Sequence, residues 1–287
     1  MDKKKCIVCD SYKFKPIYSD RLLKCGNCSF VTANIDTNRQ VLRTPYTENY
    51  FKGEAYHDYL SIKVSRQINF KHKLNLIYKK VNKKEIKSVL EIGCAYGFFA
   101  ELFTEEFGKS STYTGIDIVK EAIDYGVNEL GQNLVYGNYL DYVSDKRYTD
   151  VFMWDVIEHL REPDKFIKKI SNECVEGGRL YIYTQDINAI VPKIRGSKWR
   201  NIHTSDHIQY FSNKTIKILL EKYGFTVFDI SYPSVYRNVK QSYYYLFMLN
   251  KRYSKIIKFI FDLIPENLTL PVNTYDNMLV MARKLSQ

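Results

Sequence analysis

The chain has 287 residues, and its hydrophobic content of 45% is enough to fill a large core, which excludes a chain that is disordered throughout. The 13 Gly and 7 Pro exclude collagen-like and other low-complexity chains. No apolar run approaches the roughly 18 residues of a membrane span, and no apolar stretch follows the basic start of the chain, so we expect no secretory signal and a cytoplasmic protein.

The net charge of +11 is concentrated in two segments. Residues 1–45 carry +5 and residues 237–258 carry +6, so the rest of the chain sums to zero. This distribution predicts two basic patches flanking a neutral body, and a neutral body does not suit a nucleic acid bound along its length. Nucleic acid is therefore not the expected partner, and the sequence does not indicate an oligomeric state.

Four of the six cysteines form two CxxC pairs, Cys6–Cys9 and Cys25–Cys28, separated by fifteen residues. This spacing predicts a zinc ribbon over residues 1–45, in which four thiolates hold one structural Zn²⁺. Disulfides are the alternative, but a cytoplasmic protein keeps its thiols reduced. Cys94 and Cys174 lie in apolar patterns and are interpreted as core residues.

Residues 46–85 are predicted to form a helical lid and linker between the ribbon and the main domain. The first part is dense in aromatic side chains, and Tyr46, Tyr50 and Tyr56 are candidates for the wall of a substrate site. A helix that packs its aromatic face on the main domain is the alternative. Residues 61–84 are expected to form a Lys-rich surface helix.

Residues 87–103 predict a strand, a glycine-bearing turn and a helix, which is the first βα unit of a Rossmann-type sheet. The turn reads E-I-G-C-A-Y-G from Glu91, which departs from the dinucleotide fingerprint GxGxxG. It resembles motif I, (E/D)xGxGxG, of class I S-adenosylmethionine (SAM)-dependent methyltransferases, with Ala95 where the middle glycine is usual. The resemblance implies that this turn binds the methionine part of SAM, through Glu91, Gly93, Ala95, Tyr96 and Gly97.

The next two predicted strands end in further residues of this motif set. Asp117 closes the second strand and is placed to accept hydrogen bonds from both ribose hydroxyls of an adenosine, beside Ile118. After the third strand the family usually has an acid that contacts the adenine amino group. Here Asn138 takes that place, next to Tyr139, and its carbonyl oxygen can accept the same bond.

The fourth strand leads into Trp154-Asp155-Val156-Ile157-Glu158-His159-Leu160, which resembles motif IV of the same family. Trp154 or Asp155 is expected to border the sulfonium, by cation–π contact or by charge. Asp155, Glu158 and His159 also resemble the residues that can hold a divalent ion in ubiquinone O-methyltransferases, although Glu158 could equally cap the following loop.

A GG turn into a fifth strand, a helix from Thr215, a sixth strand and a closing strand at Asn277–Lys284 complete the pattern. We therefore predict an α/β fold: a Rossmann-type seven-stranded methyltransferase sheet over residues 86–287, with a small N-terminal zinc ribbon.

The loop after the fifth strand holds the candidate bases. In an open parallel sheet such a loop faces the ligand crevice. An imidazole suits proton removal near pH 7, so His207 is the first candidate for general base and His159 the second, with a structural role as the alternative for each. Trp199, His203 and Tyr210 are the remaining substrate-site candidates. The "HIQYFS" string in this loop resembles a pattern in small-molecule methyltransferases of ubiquinone, sugar and surface-polysaccharide biosynthesis.

Residues 236–270 are predicted to be a helical insertion, and residues 243–261 within it are basic and aromatic. We expect this segment to cover the active site, with peripheral contact to an anionic membrane as the alternative.

The resemblance implies SAM-dependent methyl transfer to a small molecule, with a nucleotide-linked sugar or another surface-glycan or secondary-metabolite precursor as the expected acceptor. One alternative is a ribosomal RNA base methyltransferase that uses the basic ribbon to bind RNA. The other is a non-catalytic binding protein whose cofactor site has decayed.

Overall fold

The computed structural model describes residues 4–35, 59–244, 247, 254–265 and 268–286. The predicted lid tyrosines, Tyr46, Tyr50 and Tyr56, lie outside the described residues. The strands in chain order are β1 (Phe14–Ile17), β2 (Leu22–Cys25), β3 (Val31–Ala33), β4 (Ser88–Ile92), β5 (Thr112–Asp117), β6 (Leu134–Tyr136), β7 (Tyr148–Trp154), β8 (Cys174–Gln185), β9 (Gln209–Tyr210), β10 (Phe225–Ser231), β11 (Val235–Asn238), β12 (Thr269–Val272) and β13 (Asn277–Lys284). The α-helices are α1 (Lys63–Tyr78), α2 (Phe98–Phe107), α3 (Lys120–Asn128), α4 (Pro163–Glu173), α5 (Ile190–Arg195), α6 (Asn213–Lys222), α7 (Val239–Tyr243) and α8 (Lys255–Leu263).

The central sheet has seven strands in the order β10-β13-β8-β7-β4-β5-β6. Strands β4 to β8 pair in parallel, and β13 runs antiparallel between β8 and β10. The chain proceeds outward from β4 through β5 to β6 and then returns to β7 on the other side of β4. This reversal makes a crevice at the carboxyl ends of β4 and β7, where open α/β sheets bind ligands. The predicted seven-stranded fold is confirmed.

Both faces of the sheet are covered, because its strands carry apolar residues on both sides. Side chains of α4 and α6 pack on one face, and side chains of α1, α2 and α3 pack on the other. Helix α1 was predicted as a surface helix, but its Phe70, Leu74 and Ile77 are buried. The predicted core cysteines Cys94 and Cys174 are buried as well.

The N-terminal ribbon docks onto the main domain through a shared sheet. Strands β1, β2 and β3 form an antiparallel sheet that β9 extends as a fourth strand. Next to this pairing, the Ala33 backbone N–H donates to the Ile208 carbonyl at 2.8 Å, and the Arg21 guanidinium donates to the Ile202 carbonyl at 2.8 Å. The ribbon therefore holds the segment that carries His207.

The segment predicted as a helical insertion also contains a two-stranded antiparallel ladder, β11 with β12. Residues of both strands line a cavity over the carboxyl edge of the central sheet. Among the described residues, no helix combines the length and the hydropathy needed to cross a bilayer.

Candidate active site

Two cavities adjoin the carboxyl ends of the parallel strands. The smaller, of about 410 Å³, is surrounded by the turns that follow β4, β5, β6 and β7, and its lining includes Gly93, Ala95, Asp117, Ile118, Asn138, Tyr139, Trp154 and Asp155. The larger, of about 1060 Å³, lies under β11 and β12 and is lined by His159, His203 and His207 among others. Arg66, Asp155 and His159 line both cavities, so the two meet at these side chains.

The turn after β4 contains three residues in left-handed backbone conformations. Gly93, Ala95 and Gly97 have φ of 78°, 46° and 76°. A Cβ on Gly93 would come within 2.4 Å of a Val156 methyl, so only glycine fits there. Ala95 holds a backbone conformation that favours glycine, and such a conformation costs an L-residue roughly 1–2 kcal/mol. The family's middle glycine therefore corresponds to a real backbone requirement at this position.

Asp117 joins the turns that follow β4 and β5. Its Oδ2 accepts a hydrogen bond from the Ala95 backbone N–H at 2.8 Å, and its Oδ1 accepts one from the Val119 N–H at 2.9 Å. Burial raises the pKa of this carboxyl, while the backbone donors oppose the rise. Each carboxylate oxygen has a further lone pair, which leaves acceptor capacity for a ligand in the smaller cavity.

Asn138, the neighbouring candidate, has its carbonyl oxygen engaged by the Leu140 backbone N–H at 3.1 Å. It lines the smaller cavity, as does Tyr139, whose hydroxyl donates to Glu173 at 2.7 Å.

Glu91 does not line the smaller cavity but a side cavity of about 30 Å³ next to it, together with Tyr96 and Trp154. The Tyr113 hydroxyl donates to its carboxyl group, and burial raises the pKa of Glu91 to about 8, so the group is protonated at neutral pH. The indole N–H of Trp154 is buried and has no acceptor among the described residues. A ligand with an acidic group would satisfy that donor.

Asp155 occupies the junction of the two larger cavities in an uncommon conformation, with φ of 55°. Strained backbone of this kind often marks functional sites. Its carboxylate lies 3.7 Å from the Arg66 guanidinium, so the junction holds one charge of each sign.

Three histidines stand together in the larger cavity. The ring centroids of His203 and His207 are 4.0 Å apart, and those of His159 and His207 are 4.8 Å apart. The Nδ1 atoms of His159, His203 and His207 face the Asp206 carbonyl at 2.9 Å, the Asp206 carboxylate at 2.8 Å and the Asn201 carbonyl at 3.1 Å. Each acceptor fixes the tautomer, so the unprotonated nitrogen of each neutral ring is Nε2.

His207 is the most buried of the three, and its surroundings keep it neutral. Burial, followed by the nearby His159 and His203, lowers the pKa of His207 to about 3. Asp206 is the counterpart: burial raises the pKa of its carboxyl, but the hydrogen bonds from His203 and Ser205 and the nearby histidines together outweigh burial and hold that pKa well below its usual range.

Two predicted substrate residues do not reach either cavity. Trp199 is buried in the core between the ribbon and the main domain, where its indole N–H donates to Asp276 at 2.9 Å. Tyr210 belongs to the same core, since it lies on β9 beside the ribbon strand β3. The structure thus places both aromatic side chains in the core that holds the loop, and neither lines the two cavities.

Three further residues, Arg66, Lys73 and Asp206, line the larger cavity. The sequence patterns do not identify them as site residues. Arg66 and Asp206 carry no pattern that distinguishes them from surface charges. Lys73 does, because it falls between Phe70 and Ile77 on the buried face of α1, where a lysine is out of place.

The four ribbon cysteines have the geometry of a metal site. Their sulfur atoms all lie within 4.8 Å of one another, and the Cys6–Cys28 and Cys9–Cys25 sulfur pairs are each 3.6 Å apart. Tetrahedral Zn–S bonds of about 2.3 Å would place sulfurs roughly 3.8 Å apart, so the set fits zinc. The separations are too long for disulfides, and all four cysteines are free.

A second group of possible ligands differs from the predicted divalent set. Among the described residues, Glu158 and His159 converge with His207 and not with Asp155. Glu158 is buried, and its carboxyl oxygens accept hydrogen bonds from Thr184 and Gln185, each at 2.9 Å.

Comparison with known proteins agrees with this geometry. Residues 64–230, more than half of the chain, match the family model described as a methyltransferase domain. A probable (S)-tetrahydroprotoberberine N-methyltransferase of Papaver bracteatum is 28% identical over 105 residues, which cover 34% of this chain and 29% of that protein. A ubiquinone biosynthesis O-methyltransferase of Coxiella burnetii is 23% identical over 176 residues, which cover 56% of this chain and 74% of that protein. The chain thus spans about a third of the length of the plant N-methyltransferases that it matches.

A solved structure shares the fold. It is a SAM-dependent methyltransferase of Thermotoga maritima, described as a possible histamine N-methyltransferase, with a TM-score of 0.51 and 13% identity, and the match covers 78% of this chain and 92% of that one. The family match over residues 64–230 assigns the chain, in agreement with the left-handed turn after β4 and the strand order: it belongs to the methyltransferase-domain family.

Proposed function

We propose that the protein transfers the methyl group of SAM to a small molecule bound in the larger cavity, and that this acceptor is a nucleotide-linked sugar or another precursor of a surface glycan or secondary metabolite. The observation that carries the proposal is the junction of the two cavities at Arg66, Asp155 and His159. A cofactor in the smaller cavity and an acceptor in the larger one would meet there. The choice of acceptor class is supported by the resemblance of the loop around His207.

SAM fits the residues around the smaller cavity. When bound, it supplies a methyl group already activated on a sulfonium, so the chain has only to bind, align and exclude water. Asp117 would accept the ribose hydroxyls, Asn138 and Tyr139 would flank the adenine, and the acidic Asp155 would lie near the sulfonium. The buried indole N–H of Trp154 needs an acceptor, which the methionine carboxylate would provide.

A hydroxyl acceptor must lose a proton, and the histidines are the candidate bases. His159 lines both cavities, so it is the better placed of the two candidates to reach the acceptor atom. His207 packs against His159 and stays neutral, and we propose that it positions the His159 ring and contacts the acceptor.

We propose that the four ribbon cysteines hold one structural Zn²⁺. A closed site of four thiolates leaves no position for water or substrate, so its role would be to hold the ribbon together. The ribbon is anchored on β9 and so would hold the acceptor loop, residues 199–210, in place. This structural role does not require the ribbon to bind RNA.

The basic segment supports both of its expected roles. Val239 and Leu270, which lie in the insertion on either side of the basic residues 243–261, line the larger cavity, as parts of a cover would. On α8, however, Ile256, Phe259, Ile260 and Leu263 are 42–70% exposed and recur at helical spacing, beside Lys255 and Lys258. An exposed apolar stripe flanked by lysines suits an anionic membrane surface, and we propose that α8 makes such a contact.

The cofactor assignment is tested by calorimetric titration with S-adenosylhomocysteine. Asp117→Ala should weaken binding by roughly 10- to 100-fold, because each hydrogen bond to a charged group is worth about 1.5–3 kcal/mol. Asp124→Ala is the matched control, since Asp124 is exposed and paired with Lys120 at the surface. Equal affinity in both variants would remove Asp117 from the cofactor site.

The acceptor class is tested by following label from methyl-labelled SAM into nucleotide-linked sugars and, in parallel, into ribosomal RNA. Incorporation into a sugar nucleotide supports the proposal. Incorporation into RNA alone contradicts it.

A further inference from the structure

Lys73 lies in an unusual place for a lysine. It sits on the buried face of α1 among Phe70, Leu74 and Ile77, and its side chain is only 6% exposed. Its remaining exposure is to the larger cavity, which it helps to line. A charged group buried to this extent normally has a paired partner.

Within the part of the chain that the structure describes, the ammonium of Lys73 has no such partner. It forms no hydrogen bond or ion pair with the described residues, and its nearest neighbours are aromatic faces. Its Nζ lies 3.9 Å from the ring centroid of Tyr183, 5.1 Å from Trp154 and 5.2 Å from Phe70. Burial lowers the pKa of Lys73 to about 8, with Asp155 opposing and Arg66 adding to that effect, so the group still carries its charge at neutral pH. Cation–π contact offsets only part of the cost of burying that charge.

The other charged groups around the larger cavity are mostly matched with one another. Arg66 faces Asp155, Arg200 pairs with Asp276, and His203 bonds to Asp206. Glu158 receives two neutral donors, and burial raises its pKa. His72, adjacent on α1, has a pKa that burial and Lys73 lower, so it adds no charge at neutral pH.

Two cations remain without a counter-ion among the described residues, Lys73 inside the larger cavity and the exposed Arg237 at its β11 wall. Lys73 and Arg237 therefore present positive charge to whatever enters the cavity beside them.

We propose that the methyl acceptor is an anion, and that Lys73 binds its acidic group, a phosphate or a carboxylate, with Arg237 adding attraction at the rim. This inference rests on the proposed function, since it assigns the larger cavity to the acceptor. An oxyanion beside Lys73 would provide the missing hydrogen-bond acceptor and opposite charge in a site shielded from water. A neutral acceptor would leave the buried ammonium unpaired and so bind less well.

The test uses the full-length protein, labelled with ¹³C and ¹⁵N in its lysines and saturated with S-adenosylhomocysteine. Inorganic phosphate and, separately, acetate are titrated in while the Lys73 side-chain resonance is followed by NMR. An anion next to the ammonium favours the charged form, so the pKa of Lys73 should rise on saturation. A response to phosphate identifies a phosphoryl group as the ligand, and a response to acetate alone identifies a carboxylate.

Variants supply the affinity readout. Lys73→Met, close in volume and uncharged, should weaken the binding of the effective anion by roughly ten-fold or more, the usual weight of a charged hydrogen bond. Lys71→Met is the matched control, because Lys71 is exposed on the same helix and should leave affinity unchanged. The NMR titration needs only the wild-type chain for its result, so it decides the question even if Lys73→Met is unstable.

Two results would overturn the inference: a Lys73 resonance that responds to neither anion, or equal anion affinity in Lys73→Met and Lys71→Met. Failure of the proposed function is recognised separately. In that case S-adenosylhomocysteine itself does not bind, whereas failure of the anion site alone leaves cofactor binding intact.

Discussion

At the scale of single residues, the acceptor of each Nδ1–H bond sets what the three histidines of the larger cavity can do. Asp206 supplies a carbonyl to His159 and a carboxylate to His203, while the Nδ1 of His207 faces the Asn201 carbonyl and its ring lies against the two other imidazoles. A carboxylate partner stabilises an imidazolium, and neighbouring imidazoles in a dry site disfavour one. The surroundings of His207 therefore favour its neutral form.

This difference predicts a pH effect on stability. Because the pKa of His207 is about 3 in the folded protein, the unfolded chain binds a proton that the folded chain does not between about pH 6.5 and pH 3. The free energy of unfolding should therefore fall as pH falls through this window. His207→Gln removes this titrating group. As pH falls through the window, the difference in unfolding free energy between wild type and variant should therefore change in favour of the variant by up to about 1.4 kcal/mol per pH unit. Urea unfolding at a series of pH values measures this difference.

Parallel pH curves for the two proteins would show that His207 is not held neutral.

Glutamine variants of His159 and His207 separate the roles of the two histidines in catalysis. His159→Gln should lower kcat by roughly 10²–10⁴-fold if His159 removes the proton, whereas His207→Gln should mainly raise KM.

At the scale of elements, the pairing of β3 with β9 connects the ribbon to the acceptor loop. Two residue pairs, Val31 with Tyr210 and Thr32 with Gln209, make the ladder. The adjoining core contains Leu22 and Val31 from the ribbon and Trp199 and Ile208 from the loop. Disorder in one partner would therefore expose apolar surface on the other.

Removal of zinc should loosen both partners. Protein purified without added metal should contain roughly one zinc per chain, and chelation should speed amide hydrogen exchange in β1–β3 and in residues 199–210, while β4 and β5 stay protected. Cys6→Ala should behave like the chelated protein. Cys174→Ala is the control, because this buried cysteine lies in β8, outside the cluster, and should retain zinc. Full zinc loss with unchanged exchange in residues 199–210 would disprove the coupling.

At the scale of the whole molecule, the two basic segments and the apolar stripe on α8 predict how the protein meets a lipid surface. The full-length protein should sediment with vesicles of phosphatidylcholine containing phosphatidylglycerol, and less so at high salt. Phe259→Asp should weaken this binding by roughly ten-fold or more, since burial of an aromatic side chain is worth about 1.5–3 kcal/mol. Ile194→Asp is the control, because Ile194 is at least as exposed as Phe259 but lies outside the basic segment. Equal loss in both variants, or binding to pure phosphatidylcholine, would contradict a basic membrane-binding face.

The sequence predicts the architecture well because each strand end carries its own local signal. The turn from Glu91 to Gly97 and the acid at Asp117 are close in the chain to the strands that position them. Side chains whose role depends on distant packing were not predictable. Trp199 and Tyr210 are predicted from the sequence to line the substrate site, but they lie in the core between the ribbon and the loop. That core forms because β3 docks on the loop, and this docking joins residues far apart in the chain. Lys73 was missed because its aromatic neighbours, Trp154 and Tyr183, come from two strands of the sheet.

The ribbon and the acceptor loop contact each other in the fold but are far apart in the sequence. This sequence separation affects how the chain folds during synthesis. Thr32 bonds to the Ile208 carbonyl across 176 residues of sequence. At a synthesis rate of about 5–20 residues per second, roughly 10–35 s pass between the emergence of the first partner and that of the second. Through that interval the ribbon has its four cysteines but lacks the strand that covers its edge, and an unpaired strand edge invites pairing with other chains. Early capture of zinc would keep the ribbon compact until β9 arrives, and the metal would then also protect the nascent chain.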